Sequence, residues 1–427
     1  MKRKIIAVSD QSQINILNVA VDVSKSSLSY YAELEGTDVK ECWEDSLRNR
    51  SEDIIAELAE LSREARKRGY EGLRVICEST GVYHRRLLRT AREQGCLTAL
   101  ISGEATYKSQ VIQSNDYNKT DKKDPKTILL VYRLGKRLVD RRLSGGWLVL
   151  RQLNLNYERV ERELTQIKNR LHTALYDLFC DLSFKNQWIF NSVTAKDLAR
   201  HYGFNPYRIV EEGRAKLHRR LKRDFLRKST MDRIWENAIQ SARMQQDSQV
   251  ISWMEEEVKD LYTHLTYLQN NQHTIRYRMV EELERLHSKG ELKLPPHAAP
   301  IGPFMLARVL AETGPLSDFK NIQKLWRYAG YNLRQKQSGV MQGTNRLSKK
   351  GRSRLRRCAM QACIKLVVRG QLFGDYYHEK KAQGMAGNKA LVAVARRLLK
   401  LLHGIEKSGG QYDVQRVFDQ SSLQKAA

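Results

Sequence analysis

The chain has 427 residues, of which 41% are hydrophobic, so it holds enough apolar material for two or three cored domains and is not a disordered chain. A formal net charge of +27 calls for a polyanionic partner, with nucleic acid the first candidate and an anionic membrane the second. No apolar run approaches the roughly 20 residues that a bilayer crossing needs. The six cysteines form no CxxC pair, which argues against a zinc ribbon and a disulfide framework.

Residues 15–103 follow an α/β pattern. The runs NILNVAVDV, SLSYYAELEG, LRVICES and CLTALIS predict strands, and a weaker strand passes through Glu41–Trp43. Ser51 is expected to cap a helix, and a second helix is expected over Gly81–Gln94. The resulting order β-β-β-α-β-α-β predicts a mixed sheet with helices on its faces.

A polar, basic passage follows between Glu104 and Gly135. It carries the acidic pair Asp121 and Asp124, and Pro125 suits the first turn of a helix. The apolar face of that helix would consist of Ile128, Leu129 and Tyr132. The pair therefore lies at the start of a helix, and its three-residue spacing puts both carboxylates on one face.

Two long helices are expected between residues 150 and 290, because apolar side chains recur there at alternating spacings of four and three residues. The first seam is Leu153, Tyr157, Val160, Leu164, Ile167, Leu171, Ala174 and Leu178. The second is Ile251, Met254, Val258, Leu261, Leu265, Leu268, Gln272, Ile275 and Met279. Residues 183–230 between them read as irregular and basic. Each seam fits an intramolecular antiparallel hairpin or an oligomer contact equally well.

A last domain begins near Leu294. PIGPFMLARVLAETG resembles a helix-hairpin-helix turn followed by a helix that ends at Gly314, and Ser317 is the expected N-cap of the next helix. Further helices are expected from Arg352 to about Arg369 and over GNKALVAVARRLLKLLHG, with a mobile tail beyond Gly409. Cys358 and Cys363 lie in an apolar helical pattern. They are expected to be reduced structural residues in a reducing cytoplasm.

Two acids stand where strands end. Asp22 closes the first strand in VAVDVSK, and Glu78 closes another in VICEST. A carboxylate that ends an apolar strand must be solvated, paired or bound to a metal. If Asp22, Glu78, Asp121 and Asp124 met at one edge, they would repel one another without a cation between them, and Mg²⁺ prefers such oxygen ligands. Taken singly, each acid also fits a solvated strand end or an N-cap.

The segment Gln335–Arg357 is polar, Gly-punctuated and strongly basic. Ser338 stands next to Gly339, and the run Arg346–Arg357 holds seven Lys/Arg and no acid. Taken alone, this is a phosphate-gripping loop with an exposed hydroxyl. A serine hydroxyl that attacked a phosphodiester would form a phosphoserine ester and free a sugar hydroxyl, which conserves the bond energy for rejoining. Ser348 and Ser353 lie in the same loop, and the pattern does not separate them from Ser338.

These motifs resemble those of DEDD transposases of bacterial insertion sequences, the serine-containing IS110 family of bridge-RNA-guided recombinases. The matching residues are VDVSK with Asp22, CESTG with Glu78, KTDKKD with Asp121 and Asp124, and a downstream block that runs from PIGPFMLARVLAETG through QSG to LSKKGRSRLRR. The resemblance covers most of the chain. The sequence departs from it at Pro300, where the family's turn has Gly, and in residues 183–250, which are longer than the family's usual connection.

The resemblance implies four parts. These are an RNase H-like (RuvC-type) DEDD domain at 1–145, a coiled-coil connector with a basic insertion at 146–292, a helical serine-containing transposase domain at 293–410 and a mobile tail at 411–427. It makes the four acids ligands for Mg²⁺ or Mn²⁺ and Ser338 the nucleophile, in a composite site between subunits. Residues expected to contact nucleic acid are Lys119, Lys122, Lys123, Gln337, Gly339, Arg346, Lys349, Lys350, Arg352, Arg354, Arg356 and Arg357.

The same resemblance implies the partners. They are donor and target DNA, a structured guide (bridge) RNA and further copies of the chain in a homodimer or homotetramer, with no membrane involved. The expected location is the bacterial cytoplasm, at the nucleoid. Target choice would lie in the RNA and so is not written in this sequence.

Three hypotheses follow for the function. The first is an RNA-guided DNA transposase that cuts and rejoins strands through a phosphoserine intermediate. The second is a metal-dependent, Holliday-junction-type nuclease in which Ser338 binds phosphate. The third is a non-catalytic RNA- and DNA-binding protein, for which the four acids would be incidental.

Overall fold

The computed structural model of the chain forms two compact units, Met1–Arg142 and Leu143–Ala427. Unit 1 and unit 2 each have their own hydrophobic core. The residues that the structure describes are 15–34, 42–79, 81–114, 124–138, 141, 143–180, 182, 190–221, 227–244, 247–297, 299–334, 337–338, 341–342, 346–410 and 417–418.

Unit 1 is built on a mixed six-stranded sheet with the strand order β3-β2-β1-β4-β5-β6. Its strands are β1 (Ile16–Val23), β2 (Ser27–Glu33), β3 (Cys42–Arg48), β4 (Gly72–Glu78), β5 (Leu97–Ile101) and β6 (Arg137–Leu138). β1 to β3 are successive antiparallel neighbours, β4 and β5 run parallel to β1, and β6 returns antiparallel to β5. The order β-β-β-α-β-α-β expected for residues 15–103 is confirmed.

Helices cover this sheet. They are α1 (Ser51–Lys67), α2 (His84–Glu93), α3 (Gly103–Ser114) and α4 (Asp124–Arg133). Odd-numbered residues of β1 such as Val19 and Val21 share a core with Leu58 and Leu87 of α1 and α2. Even-numbered ones face the other way, so that Ala20 packs with the buried residues of α4. This period-two alternation is what a sheet covered on both faces requires.

Several details of unit 1 differ from the sequence predictions. Arg50, not Ser51, is the N-cap of α1 and makes no side-chain cap bond, because Ser51 already lies in the first helical turn. β3 extends from the predicted Glu41–Trp43 to Arg48 by pairing along the whole of β2. α3 and β6 were not predicted. The helix with Ile128, Leu129 and Tyr132 as its apolar face is confirmed, since all three are buried.

Unit 2 is mainly helical. Its helices are α5 (Gly145–Leu178), α6 (Val193–Tyr202), α7 (Pro206–Glu212), α8 (Arg214–Leu221), α9 (Lys228–Ala242), α10 (Ser248–Ser288), α11 (Gly302–Thr313), α12 (Ile322–Ala329), α13 (Ser353–Ile364), α14 (Leu372–Ala382) and α15 (Gly387–Ser408). Four two-residue strands lie between α12 and α13: β7 (Leu333–Arg334), β8 (Gln337–Ser338), β9 (Met341–Gln342) and β10 (Arg346–Leu347). Buried apolar residues from Trp147 to Val417 form a continuous core.

The two predicted heptad seams meet each other within the chain. Gly146, near the start of α5, lies against Leu286, near the end of α10. Farther along, Gln272 Nε2 donates a hydrogen bond of 3.3 Å to Tyr157 Oη. The pairing of early with late residues makes α5 and α10 antiparallel, as in the hairpin interpretation of the seams. Oligomerisation through their outer faces stays a prediction.

The segment expected to be irregular, 183–230, is instead largely helical where it is described. α6 to α8 and the start of α9 lie in it, capped by Ser192 and Asn205, whose side chains accept hydrogen bonds from backbone N–H groups. Gly203 ends α6 in the left-handed conformation. The sequence prediction failed here because these helices are short and their apolar positions too few to show a period.

The C-terminal predictions need three corrections. Ser317 lies in a short 3-10 turn, and Asn321 caps α12 by accepting from Lys324 N at 3.0 Å. α13 ends at Ile364 rather than near Arg369. Within the predicted mobile tail, Val417 is fully buried and Phe418 stacks edge-on against Phe373, so these two residues are packed.

Two other expectations agree with the structure. The helix ending at Gly314 is α11, and Cys358 and Cys363 are free and fully buried. Burial raises the pKa of each of these two thiols to about 12. None of the described helices is long and apolar enough to cross a membrane.

Candidate functional site

Asp22 and Glu78 lie side by side at the carboxyl edge of two parallel strands. β1 and β4 pair up to Val21 opposite Cys77, so the next residue on each strand is one of the two acids. Neighbouring strands lie about 5 Å apart, and residues in register point to the same face. Because Ala20 and Ile76, two residues earlier, pack under α4, Asp22 and Glu78 lie on the face that α4 covers. The two strand-end acids that the sequence singled out are therefore neighbours on adjacent strands.

Asp124, the first residue of α4, is brought to the same edge. Lys126, in the first turn of α4, lies 4.9 Å from the ring of Tyr31, which pairs with Ala20 of β1. Arg133, at the end of α4, pairs with Glu33, which lies farther from the carboxyl edge of β1. α4 therefore starts towards the edge where Asp22 lies. Asp124 is buried, with 8% of its surface exposed.

Gly103 fixes the space around Glu78. It opens α3 directly after β5, and a Cβ placed on it would overlap Glu78 Oε1 and lie 3.1 Å from Glu78 Cδ. The absence of a side chain at this position lets the carboxylate lie against the first turn of α3. Backbone N–H groups at a helix N-terminus attract negative charge, which suits a neighbouring carboxylate.

The donor set fits a hard divalent cation, since carboxylate oxygens are the ligands that Mg²⁺ prefers. Among the described residues, however, no three acidic, histidine or cysteine side chains form a group that could hold a metal. The fourth predicted ligand, Asp121, lies outside the described residues, together with Lys119, Lys122 and Lys123. The structure therefore supports the pairing of Asp22 with Glu78 and the nearby placement of Asp124, and the metal itself stays a prediction.

Ser338 lies in a small hairpin of unit 2 rather than in an open loop. β8 and β9 pair antiparallel, with Ser338 opposite Met341 and Gln337 opposite Gln342. A second antiparallel pair, β7 with β10, brackets this hairpin on both sides in the sequence. We call the segment Leu333–Leu347 the serine hairpin. Gly339, between β8 and β9, lies outside the described residues.

The two alternative serines have different environments. Ser348 follows β10, and its backbone N–H donates to Asn332 O at 2.7 Å. Its hydroxyl donates to Gly330 O at 3.5 Å, so it is engaged by the backbone. Ser353 is exposed and opens α13. The hydrogen bond to Gly330 O gives the Ser348 hydroxyl a structural role, so its presence is explained without a catalytic one.

The arginines that follow the serine hairpin are largely tied to internal acids. Arg352 Nε donates to Glu312 Oε2. Arg354 and Arg357 both pair with Glu158, at 3.2 and 2.5 Å, although each side chain remains about half exposed. This contact with Glu158 raises the pKa of Arg357.

The remaining predicted cations differ in their surroundings. Arg356 donates to Ala329 O at 2.9 Å, whereas Lys349 and Lys350 are exposed. Gln337 and Arg346 lie in strands, and the structure describes their backbone only. Direct contact of these residues with nucleic acid stays a prediction.

A buried polar network underlies these arginines. At its centre Arg308 of α11 has 2% of its surface exposed. Its guanidinium donates to Asn154 Oδ1 at 3.3 Å and to Gln361 Oε1 at 2.8 Å, and lies 3.4 Å from Glu161 and 3.7 Å from Glu158. Such a charge is tolerated in a core because its partners satisfy it.

Sequence reasoning missed this network. Arg308 and Glu312 stand four apart within LARVLAET, in the middle of a helix predicted to be apolar, and Asn154 and Glu158 stand four apart beside the first seam. Charged residues at core positions of a helix are the signal that could have revealed it, since they are seldom buried unless paired.

Comparison with known families gives two matches. The model described as the Transposase IS116/IS110/IS902 family matches residues 299–378, which include Ser338. A second model, for DEDD transposases of the IS110 type, matches residues 19–180, which include all four acids. The two matched stretches span more than half of the chain. A comparison with curated proteins finds no match.

Proposed function

The chain belongs to the IS110 family of DNA transposases, and we propose that it cuts and rejoins DNA strands through a covalent phosphoserine intermediate on Ser338. The observation that carries the proposal is the in-register placement of Asp22 and Glu78 at the carboxyl edge of the sheet. Two carboxylates on neighbouring strand ends repel each other, and a cation bound between them would offset that repulsion.

In this proposal Asp22, Glu78, Asp121 and Asp124 hold Mg²⁺ or Mn²⁺. When bound, the metal would polarise the scissile phosphate and offset the charge on the leaving oxygen. The chain's own contribution is positional: strand register fixes Asp22 beside Glu78, and Gly103 leaves room for the Glu78 carboxylate. The strand order, three antiparallel strands followed by two parallel ones, supports an RNase H-like (RuvC-type) fold for unit 1.

Cleavage on Ser338 would exchange one phosphoester bond for another. The Ser338 Oγ attacks phosphorus, the Oγ–P bond forms, and one P–O bond to a sugar breaks. The hydroxyl proton leaves to a base, and the departing sugar oxygen gains a proton to become a free hydroxyl. Rejoining reverses these changes when a different sugar hydroxyl attacks the phosphoserine. The phosphodiester count is conserved, so no nucleotide cofactor is needed.

We further propose a structured guide RNA and an assembly of two or four copies as partners. The net charge of +27 supports polyanionic partners of this kind. A homodimer or homotetramer could form through the outer faces of α5 and α10. The wider division into a DEDD domain, a connector and a serine domain is proposed on the same grounds, with the last two sharing the core of unit 2.

The test uses labelled duplex DNA that carries the sequence flanking the gene, with RNA transcribed from that flank and Mg²⁺. We expect a denaturation-resistant protein–DNA adduct that Ser338→Ala abolishes. Asp22→Ala should also abolish it, while a Ser348→Ala control should retain it. If Ser338→Ala still cleaves the DNA, the serine mechanism is wrong and a metal-dependent nuclease is the better reading. If no variant or wild type cleaves DNA under these conditions, a binding function is favoured.

A further inference from the structure

The chain enters and leaves the serine hairpin through one tightly packed point. Gly330, at the end of α12, meets Gly351, which precedes α13. A Cβ on Gly351 would lie 2.5 Å from Gly330 N and 2.6 Å from Tyr328 O, so a side chain there would have to push the two backbone segments apart. The Arg352 N–H donates to Tyr328 O at 2.8 Å. We call residues 328–332 and 348–352 the hairpin foot.

Glu312 lies beneath this foot and contacts both of its segments. Its carboxylate is fully buried and accepts hydrogen bonds from Arg352 Nε and, at 2.9 Å, from Asn154 Nδ2. Its backbone carbonyl accepts from Tyr328 Oη at 3.1 Å. One residue of α11 therefore binds the incoming segment through Tyr328 and the outgoing segment through Arg352.

The electrostatics favour a fixed arrangement. A fully buried carboxylate stays ionised only where donors satisfy it, and Arg352 is the cationic donor bonded to it. Burial acts to lower the pKa of Arg352, but Glu312 and Tyr328 together outweigh it and leave the pKa raised. The Arg352 guanidinium is thus held inward by a charge it neutralises, and is not free to follow a phosphate on the surface.

We propose that Glu312 is a positioning residue for strand transfer: through Arg352 and Tyr328 it clamps the hairpin foot and so sets the orientation of the strand that carries Ser338. The inference rests on the proposed function, since the orientation matters for chemistry only if Ser338 reacts. A nucleophile displaced by about 1 Å from its line of attack loses roughly a hundredfold in rate. The clamp affects the rate by preventing such a displacement and does not itself contact DNA.

The test compares Glu312→Gln with a matched control, Glu255→Gln. Glu255 of α10 also accepts from one asparagine and one arginine, Asn205 at 2.8 Å and Arg208 at 3.0 Å, but it holds the corner between α6 and α7. With the same labelled DNA, RNA and Mg²⁺, we expect Glu312→Gln to slow adduct formation by about tenfold or more, with DNA affinity within about twofold of wild type. Glu255→Gln should leave both unchanged.

Backbone hydrogen exchange reports on the clamp independently of any reaction with DNA. The N–H groups of Ser348 and Arg352 bond across the foot. Both should exchange faster in Glu312→Gln and at the wild-type rate in Glu255→Gln. Arg352→Lys separates a clamp from a phosphate contact, because lysine keeps the charge but lacks the planar fork. The clamp predicts slower adduct formation with unchanged affinity, whereas a phosphate contact predicts weaker DNA binding.

The outcomes separate the two proposals. A wild-type protein that forms no Ser338-dependent adduct rejects the proposed function, and the exchange data still judge the clamp. Wild-type exchange at Ser348 and Arg352 in Glu312→Gln overturns the clamp, whatever the adduct assay shows. Equal losses of adduct in Glu312→Gln and Glu255→Gln, at equal losses in melting temperature, would reduce Glu312 to a residue of general stability and also overturn the inference.

Discussion

Replacing Gly103 by alanine should separate activity from stability in unit 1. The backbone at Gly103 is helical and needs no positive φ, so alanine fits it and should stabilise α3 by up to about 1 kcal/mol. The new methyl group, however, would overlap Glu78 Oε1. Because that oxygen is the end of a flexible side chain, the carboxylate should move rather than the helix.

The size of the effect follows from this geometry. To restore an ordinary contact of about 3.5 Å, the carboxylate must shift by about 1 Å. A catalytic group misplaced by that distance costs roughly a hundredfold in rate, which corresponds to about 2.7 kcal/mol of transition-state stabilisation. We therefore expect Gly103→Ala to lower the rate of adduct formation by roughly tenfold to a hundredfold.

The assay is single-turnover adduct formation with labelled flanking DNA, guide RNA and Mg²⁺, run beside thermal unfolding of the same preparations. Gly72→Ala is the matched control, because Gly72 begins the strand that Glu78 ends and its Cβ would meet Ile16 at an ordinary 3.5 Å. A Gly103→Ala protein that keeps the wild-type rate, or that loses stability in proportion to its rate, would refute the assignment of Glu78.

Four further outcomes are expected. Ser338→Ala should keep DNA affinity within about twofold while losing adduct formation, measured by gel shift beside denaturing gels. Arg308→Met should lower the free energy of unfolding by roughly 1–3 kcal/mol in urea titration, because Asn154 Oδ1 and Gln361 Oε1 lose their donor, while Glu158 keeps Arg354 and Arg357. Burial lowers the pKa of His403 below its ordinary 6.5. The unfolded chain therefore binds the proton first as the pH falls, so the free energy of unfolding should decrease below about pH 6.5. Thermal scans from about pH 7.5 to 5 should show this decrease in the wild type and a smaller one in His403→Gln. Native iodoacetamide labelling should modify exposed Cys42 well before the four buried cysteines, as read by peptide mass spectrometry.

The sequence predicted unit 1 well because its signals are local. Apolar runs such as those around Val19 and Val75 can be only strands, and an acid at the end of each run marks the edge where β1 and β4 finish. That Asp22 and Glu78 are in register could not be derived, since strand order depends on long-range pairing. Ser51 shows a different limit of the sequence prediction. Its side chain could cap a helix, but α1 already includes Ser51, because packing and not the cap residue decides where the helix starts.

The basic segment after Ser338 shows why composition misleads about individual residues. Seven cations without an acid in the local sequence predict a solvated surface. Four of the arginines there find acceptors in distant parts of unit 2, with Arg352 on Glu312 and Arg354 on Glu158 as the clearest pairs. Local charge counts cannot reveal a carboxylate some forty or two hundred residues away in sequence, and that partner decides whether an arginine faces solvent.

The antiparallel pairing of α5 with α10 has a consequence for how this chain can change length. The residues between them, 179–247, leave and return at the same end of the pair, while the opposite end joins the helices that carry the serine hairpin. Material can therefore be added or removed at that end without altering the distance between the points where the rest of unit 2 attaches. The α6–α9 region packs on α10 through contacts such as Phe204 with Tyr262, so its length can change at its surface turns while those contacts and the attachment of the serine hairpin stay in place.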